Sequence, residues 1–106
     1  MTQCVQVTTT AGSAEEAGSI SEALVERRLA ACVQIFGPIE SRYRWQGEIE
    51  RGREWMCLAK TTLARLDAVE AAIRDLHSYD QPEIVATPIL AGSAGYLEWL
   101  AGSVGS

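Results

Sequence analysis

The sequence predicts an α+β domain of the split βαβ, ferredoxin-like kind, in which an antiparallel four-stranded sheet carries two helices on one face and a short C-terminal helix follows. Three observations predict it. Segments of period-two alternation are interleaved with two segments whose apolar residues recur at helical spacing, in the order β-α-β-β-α-β. One long stretch, Ile39 to Thr61, reverses on itself through a glycine turn and forms a β-hairpin arm. The 106 residues, 47% of them hydrophobic, suit one packed domain over 1–106 with no linker and no internal repeat.

The first strand is Cys4 to Thr10, CVQVTTT, alternating and rich in β-branched residues. Ala11-Gly12 turns the chain, and Ser13 with Glu16 three residues later forms a capping box in which each side chain satisfies an orphan backbone amide. The helix that starts there buries Ala17, Ile20, Leu24 and Leu29, turns Glu22, Glu26 and Arg27 to water, and stops near Arg28 or Leu29. Ala30 to Phe36, AACVQIF, has the length and branching of a central strand. Gly37-Pro38 breaks or kinks it before the arm.

The arm reads IESRYRWQGEIERGREWMCLAKT. Ile39, Ser41, Tyr43 and Trp45 share one face, and Glu40, Arg42, Arg44 and Gln46 the other. Gln46-Gly47 supplies a two-residue reversal, because glycine takes the positive φ such a turn demands. The return strand passes Ile49, Trp55, Met56, Cys57, Leu58 and Ala59, with a bulge or second bend expected at Arg51-Gly52. Strands are commonly about 5 to 6 residues long, so the distal arm overhangs so small a domain. An overhanging ribbon bearing Tyr43, Trp45 and Trp55 needs a partner to cover it. Tyr43, Trp45, Gln46 and Trp55 are therefore expected at an interface between copies of the chain.

After Lys60, Thr61 or Thr62 offers an N-cap to a second helix, with Leu63, Leu66, Val69, Ile73 and Leu76 inward and Arg65, Asp67, Glu70 and Arg74 outward. His77 ends it, and Pro82 prevents its continuation. Glu83 to Leu90, EIVATPIL, is the fourth strand, where Pro88 favours an edge or an end. Ser93 caps the last helix, which carries Tyr96, Leu97, Trp99 and Leu100, and the Gly/Ser tail over 102–106 is expected to fray.

A net charge of −5 with few Lys and Arg argues against nucleic acid as a partner. The first 30 residues hold no continuous apolar run, so neither signal peptide nor membrane span is expected, and a cytoplasmic location is. Cys4, Cys32 and Cys57 are odd in number and widely spaced, the pattern of buried reduced thiols.

Taken together, Arg28-Leu29-Ala30-Ala31-Cys32-Val33, the arm's Ser41-x-Tyr43-x-Trp45-Gln46-Gly47-x-Ile49-Glu50, Lys60-Thr61, His77-x-Tyr79-x-x-Pro82-Glu83-Ile84 and Gly92-x-x-x-Tyr96-Leu97-x-Trp99 resemble the CutA family of divalent-cation tolerance proteins. The resemblance covers nearly the whole chain in order and spacing. It implies a cytoplasmic homotrimer whose hairpins reach onto neighbouring subunits, as in the similar-looking PII signalling proteins. It also implies no catalytic activity and a link to copper or another divalent metal. Three positions depart from the family pattern. Ser78 stands where proline commonly follows the motif histidine, which implies a looser loop, and Thr9 and Leu76 stand where copper ligands are expected.

That leaves His77 as the one imidazole available to a metal, against a reading in which it caps the negative end of its helix. Lys60, Glu83 and Tyr79 are candidates to line a polar cleft between subunits, against a structural ion pair. The aromatic residues of the arm fit trimer packing before a ligand wall. Besides a metal-tolerance trimer, the residues leave open a PII-like module that binds a small molecule in inter-subunit clefts. An enzyme is disfavoured because no nucleophile lies beside a base, and strand one lacks an aromatic to stack an RNA base.

Overall fold

The structure, a computed structural model, describes residues 2–105. It contains β1 (Cys4–Ala11), α1 (Ala14–Glu26), β2 (Cys32–Trp45), β3 (Glu48–Thr62), α2 (Leu66–Leu76), β4 (Val85–Pro88) and α3 (Ala94–Ser103). The strands form one sheet in the order β2-β3-β1-β4 with every pairing antiparallel, which is the expected split βαβ arrangement. The core lies between one sheet face and two helices. Val5 and Val7 of β1 and Ala59 of β3 meet Ile20 and Leu24 of α1 and Val69 and Ile73 of α2, all buried. Cys32 pairs with Lys60, the neighbour of Ala59, and so points to the other face. There Tyr96 of α3 reaches it, with Oη and Sγ 3.6 Å apart.

Helix α1 ends as its sequence indicates. Arg27 caps it, and Arg28 takes a φ of 58° that sends the chain back toward the sheet. Its start is only half as expected: Ser13 Oγ accepts from the Glu16 amide at 3.1 Å, but the Glu16 carboxylate turns away to another partner.

The arm is one antiparallel ribbon of 14 and 15 residues. Gln46 (φ 50°) and Gly47 (φ 81°) form the turn, both in the left-handed region that the mirror-image hairpin turn requires. The irregularity expected at Arg51-Gly52 is absent, since Arg51 pairs with Arg42 and Gly52 with Ser41 in regular register. The shift falls between Phe36 and Ile39, where Gly37-Pro38 is accommodated as the extra length of a bulge. A Cβ on Gly37 would lie 2.7 Å from the Trp55 ring and 2.9 Å from the Glu54 carbonyl oxygen, so glycine admits the indole at this bend.

Thr61 and Thr62 do not cap α2. Both belong to β3, and Thr61 Oγ1 donates to the Leu29 carbonyl at 2.6 Å inside the core. A turn of 3-10 helix, Leu63–Arg65, intervenes before α2. The tail is not frayed over 102–105. Arg28 donates from Nε to the Ser103 carbonyl and from Nη2 to that of Gly102, the Gly105 amide donates to Arg28 O at 2.8 Å, and Val104 is buried. Ser106 lies outside the described residues.

Candidate functional site

The loop that follows α2 is tied down by its first three side chains. The His77 side chain is fully buried. Its Nε2 lies 2.7 Å from the Thr10 carbonyl oxygen, and its Nδ1 accepts from the Tyr79 amide at 3.1 Å. A carbonyl only accepts and an amide only donates, so these partners require the proton on Nε2 and a lone pair on Nδ1. Ser78 donates from its amide to Glu16 Oε2 at 3.0 Å and from its hydroxyl to Oε1 at 3.1 Å. Proline could make neither bond. The looser loop implied by Ser78 is therefore corrected: serine exchanges a rigid ring for a two-point clamp on α1.

Tyr79 completes the attachment by donating from Oη to Glu54 Oε2 at 3.0 Å. Partial burial first, and then the carboxylate that receives its proton, push the Tyr79 phenol up to about 12. An unfolded tyrosine ionises near 10, so stability from the protonated phenol is fully present below about pH 10. It is lost as pH rises toward 12. Melting temperature should fall more steeply across that window in the wild type than in Tyr79→Phe; parallel curves would remove Tyr79 from the alkaline transition.

Beyond this attachment the loop faces the arm across an open cleft of about 610 Å³. Ser41, Tyr43, Trp45 and Glu54 line the arm side, and residues Tyr79 to Glu83 line the loop side. Of the expected cleft residues, Tyr79 and Glu83 are thus brought together. Lys60 is not. It sits six residues from Glu54 along β3, roughly 20 Å at about 3.3 Å per residue, and its Nζ donates to Gln34 Oε1. It pairs with neither Glu83 nor any other carboxylate among the described residues. Glu54 escaped notice in the sequence although a signal was present: counting back from the Gln46-Gly47 turn places it opposite Ile39, on the face of Tyr43 and Trp45.

Of the proposed interface residues, Tyr43 and Trp45 are 49% and 52% exposed, and Gln46 lies at the exposed tip. Trp55 differs. It shares its strand face with Cys57 and is half-buried against a small cluster of Ala11, Ala17 and Cys57.

The donors present do not fit a copper ion within one chain. Both His77 ring nitrogens are committed to backbone partners, and both Glu16 oxygens hold Ser78. Thr9 points into the core with its hydroxyl unpartnered, and Leu76 packs against the same core. Among the described residues no three His, Cys, Asp or Glu side chains converge as metal ligands would. Cys4 and Cys57 are buried and Cys32 is partly so; burial pushes the Cys57 thiol up, away from reactivity.

Comparison with known proteins places this geometry. A family model described as CutA1 divalent ion tolerance protein matches residues 5–103. A divalent-cation tolerance protein CutA from Thermus thermophilus is 46% identical over 96 residues, 91% of this chain and 93% of its own. A chloroplastic CutA 1 protein of Oryza sativa is 40% identical over 90 residues, 84% of this chain and 51% of its own, so the chain spans about half the length of that plant relative. Among solved structures, the divalent cation tolerance protein Cut A1 from Thermus thermophilus superposes with a TM-score of 0.93 at 44% identity, over 99% of this chain and 100% of that one.

Proposed function

Because the chain belongs to the CutA1 divalent ion tolerance family, we propose that it serves in divalent-cation tolerance as a cytoplasmic homotrimer, without catalysis. The observation that carries the assembly is the arm. A ribbon of 14 and 15 residues overhangs the core with Tyr43 and Trp45 half-exposed and Ile49 72% exposed. Apolar side chains on an extended ribbon are stable in water when another surface buries them. Among the described residues no helix is long and apolar enough to cross a membrane, so a bilayer-spanning helix does not compete for that role.

Copper is the metal the family resemblance implies, and the donor geometry argues against a copper centre built on His77. An ion would need donors from more than one chain. One preparation tests both parts. Light scattering should give about three times the 11.5 kDa chain mass. Titration of the reduced protein with copper, zinc and nickel should give the same isotherms for wild type and His77→Ala. Tight, selective copper binding that vanishes in the variant would return His77 to a metal site, and a mass of one chain would remove the trimer.

A second reading is favoured by the cleft itself. A concavity of about 610 Å³ between arm and loop is within the size range of small-molecule sites, and its loop wall is fixed by the His77, Ser78 and Tyr79 bonds. On this reading the protein is a PII-like module that holds a small molecule there.

A further inference from the structure

We propose that the aromatic face of the arm seats on α3 of the next chain, so that Tyr43 and Trp45 of one copy meet Tyr96 and Trp99 of another, head-to-tail around the assembly. The proposal rests on the homotrimer reading and names the surface that receives the arm.

Helix α3 gives the first reason. At about 100° per residue, its bulky apolar side chains Tyr96, Leu97, Trp99 and Leu100 spread over roughly 160° of the circumference. Its own chain covers only part of that arc. Leu100 is buried and Leu97 partly so, whereas Tyr96 is 42% and Trp99 50% exposed. The two rings lie together, with centroids 5.5 Å apart, so the uncovered part is one aromatic patch. Such a patch is stable in water when a second surface takes it.

Position is the second reason. Tyr96 Oη lies 3.6 Å from Cys32 Sγ, and Cys32 pairs with Lys60 of β3. Tyr43 and Trp45 pair with Glu50 and Glu48 of the same strand. Positions 48, 50 and 60 are an even number of residues apart, so the arm's aromatic face and the α3 patch lie on one side of the β2–β3 ribbon. Twelve residues at about 3.3 Å each part Glu48 from Lys60 by roughly 40 Å, in a molecule 45 Å long. One chain thus carries two half-exposed aromatic surfaces at opposite ends and cannot bring them together. In a closed ring of three, each contact joins one patch to a different patch, and the arm of each copy finds α3 of the next.

Charge is the third. Glu50, opposite Tyr43, has no cation paired with it among the described residues, and Lys60 holds only the neutral Gln34 side chain. A head-to-tail contact offers that carboxylate an ammonium group. An arm-to-arm contact would instead set Glu48 and Glu50 against their own copies, which like-charge repulsion opposes.

Light scattering over a range of protein concentrations tests the contact. Trp99→Ala should raise the concentration of half-dissociation by about tenfold or more. Its circular dichroism should match the wild type, because Trp99 is half-exposed in the single chain. The deciding measurement is the Trp45→Ala/Trp99→Ala double variant. Residues this far apart in one chain have effects that multiply in the equilibrium constant, whereas residues that touch across an interface do not. The double variant should therefore lose well under the product of the two single losses. The same cycle run with Trp45→Phe and Trp99→Phe separates a lost contact from a disturbed helix. Wild-type association in Trp99→Ala, or losses that multiply, would overturn the contact and leave the trimer standing. A wild-type protein with the mass of one chain would overturn the trimer and this contact together.

Discussion

In the proposed trimer, Trp45→Ala is expected to shift the native mass from about three times that of the chain toward that of a single chain at micromolar concentration. The expectation follows from position. Trp45 immediately precedes the tight turn at Gln46-Gly47 and pairs across it with Glu48, so the backbone presents the indole rigidly at the outer end of the arm. Half of its surface is uncovered in one chain. Truncating a tryptophan that anchors an interface costs about 2 kcal/mol or more, roughly thirty-fold in each association step. Glu48→Ala, next to the turn and exposed, should leave the mass unchanged. A Trp45→Ala protein with wild-type mass and melting temperature would leave the arm without a role in assembly.

His77→Ala is expected to be the most damaging change in the loop, and its cost should appear in folding and not in metal affinity. The ring joins the Thr10 carbonyl of β1 to the Tyr79 amide, and its removal leaves both backbone groups without that partner. Leaving a buried group unpaired costs about 1 to 3 kcal/mol. Partial hydration of the loop offsets some of the sum, and a loss of about 2 to 4 kcal/mol is expected. The midpoint of urea unfolding at fixed protein concentration checks it. His77→Gln, whose amide can donate and accept, should recover part of the loss. A His77→Ala variant as stable as the wild type would mean that Ser78 and Tyr79 hold the loop without it.

The sequence made legible those features whose signal is local. The alternation of CVQVTTT, the Ser13 cap, the Gln46-Gly47 turn and the apolar spacing of α1 and α2 each concern residues within a few positions of one another, and the folded chain contains each. What was not legible required knowing which of several chemically equivalent partners a group takes after folding. Glu16 had an amide to satisfy at its own helix start, but a serine 62 residues away offers two donors, and the carboxylate takes them. Thr61 looked like a helix cap because threonine commonly is one, yet the Leu29 carbonyl, brought near by the fold, captures its hydroxyl. The tail reads as flexible from its glycines and serines, and Arg28, far away in sequence, fixes it. Lys60 and Glu83 both lie beside apolar runs in the sequence, a pattern silent about their separation along the sheet. Within the candidate site, the loop motif marks Tyr79 and Glu83 directly, whereas Glu54 is placed there only by the hairpin register, seven pairs from the turn.

The sheet order has a consequence for biosynthesis. β1, the first strand to be made, is a central one, and its two neighbours arrive late: Cys4 awaits Thr62 and Val5 awaits Pro88. Helix α1 and the arm can form from adjacent residues as they emerge, but the interior strand gains its first neighbour only when β3 is complete and its second only with β4. Long-range pairing of this kind slows folding and leaves apolar segments open to misassociation in the interval. Val5 and Val7 reach their buried positions only once Ala59 of β3 and Val69 and Ile73 of α2 have been made. A ribosome stalled between β3 and β4 would therefore hold a nascent chain with a finished arm and one edge of β1 still unpaired.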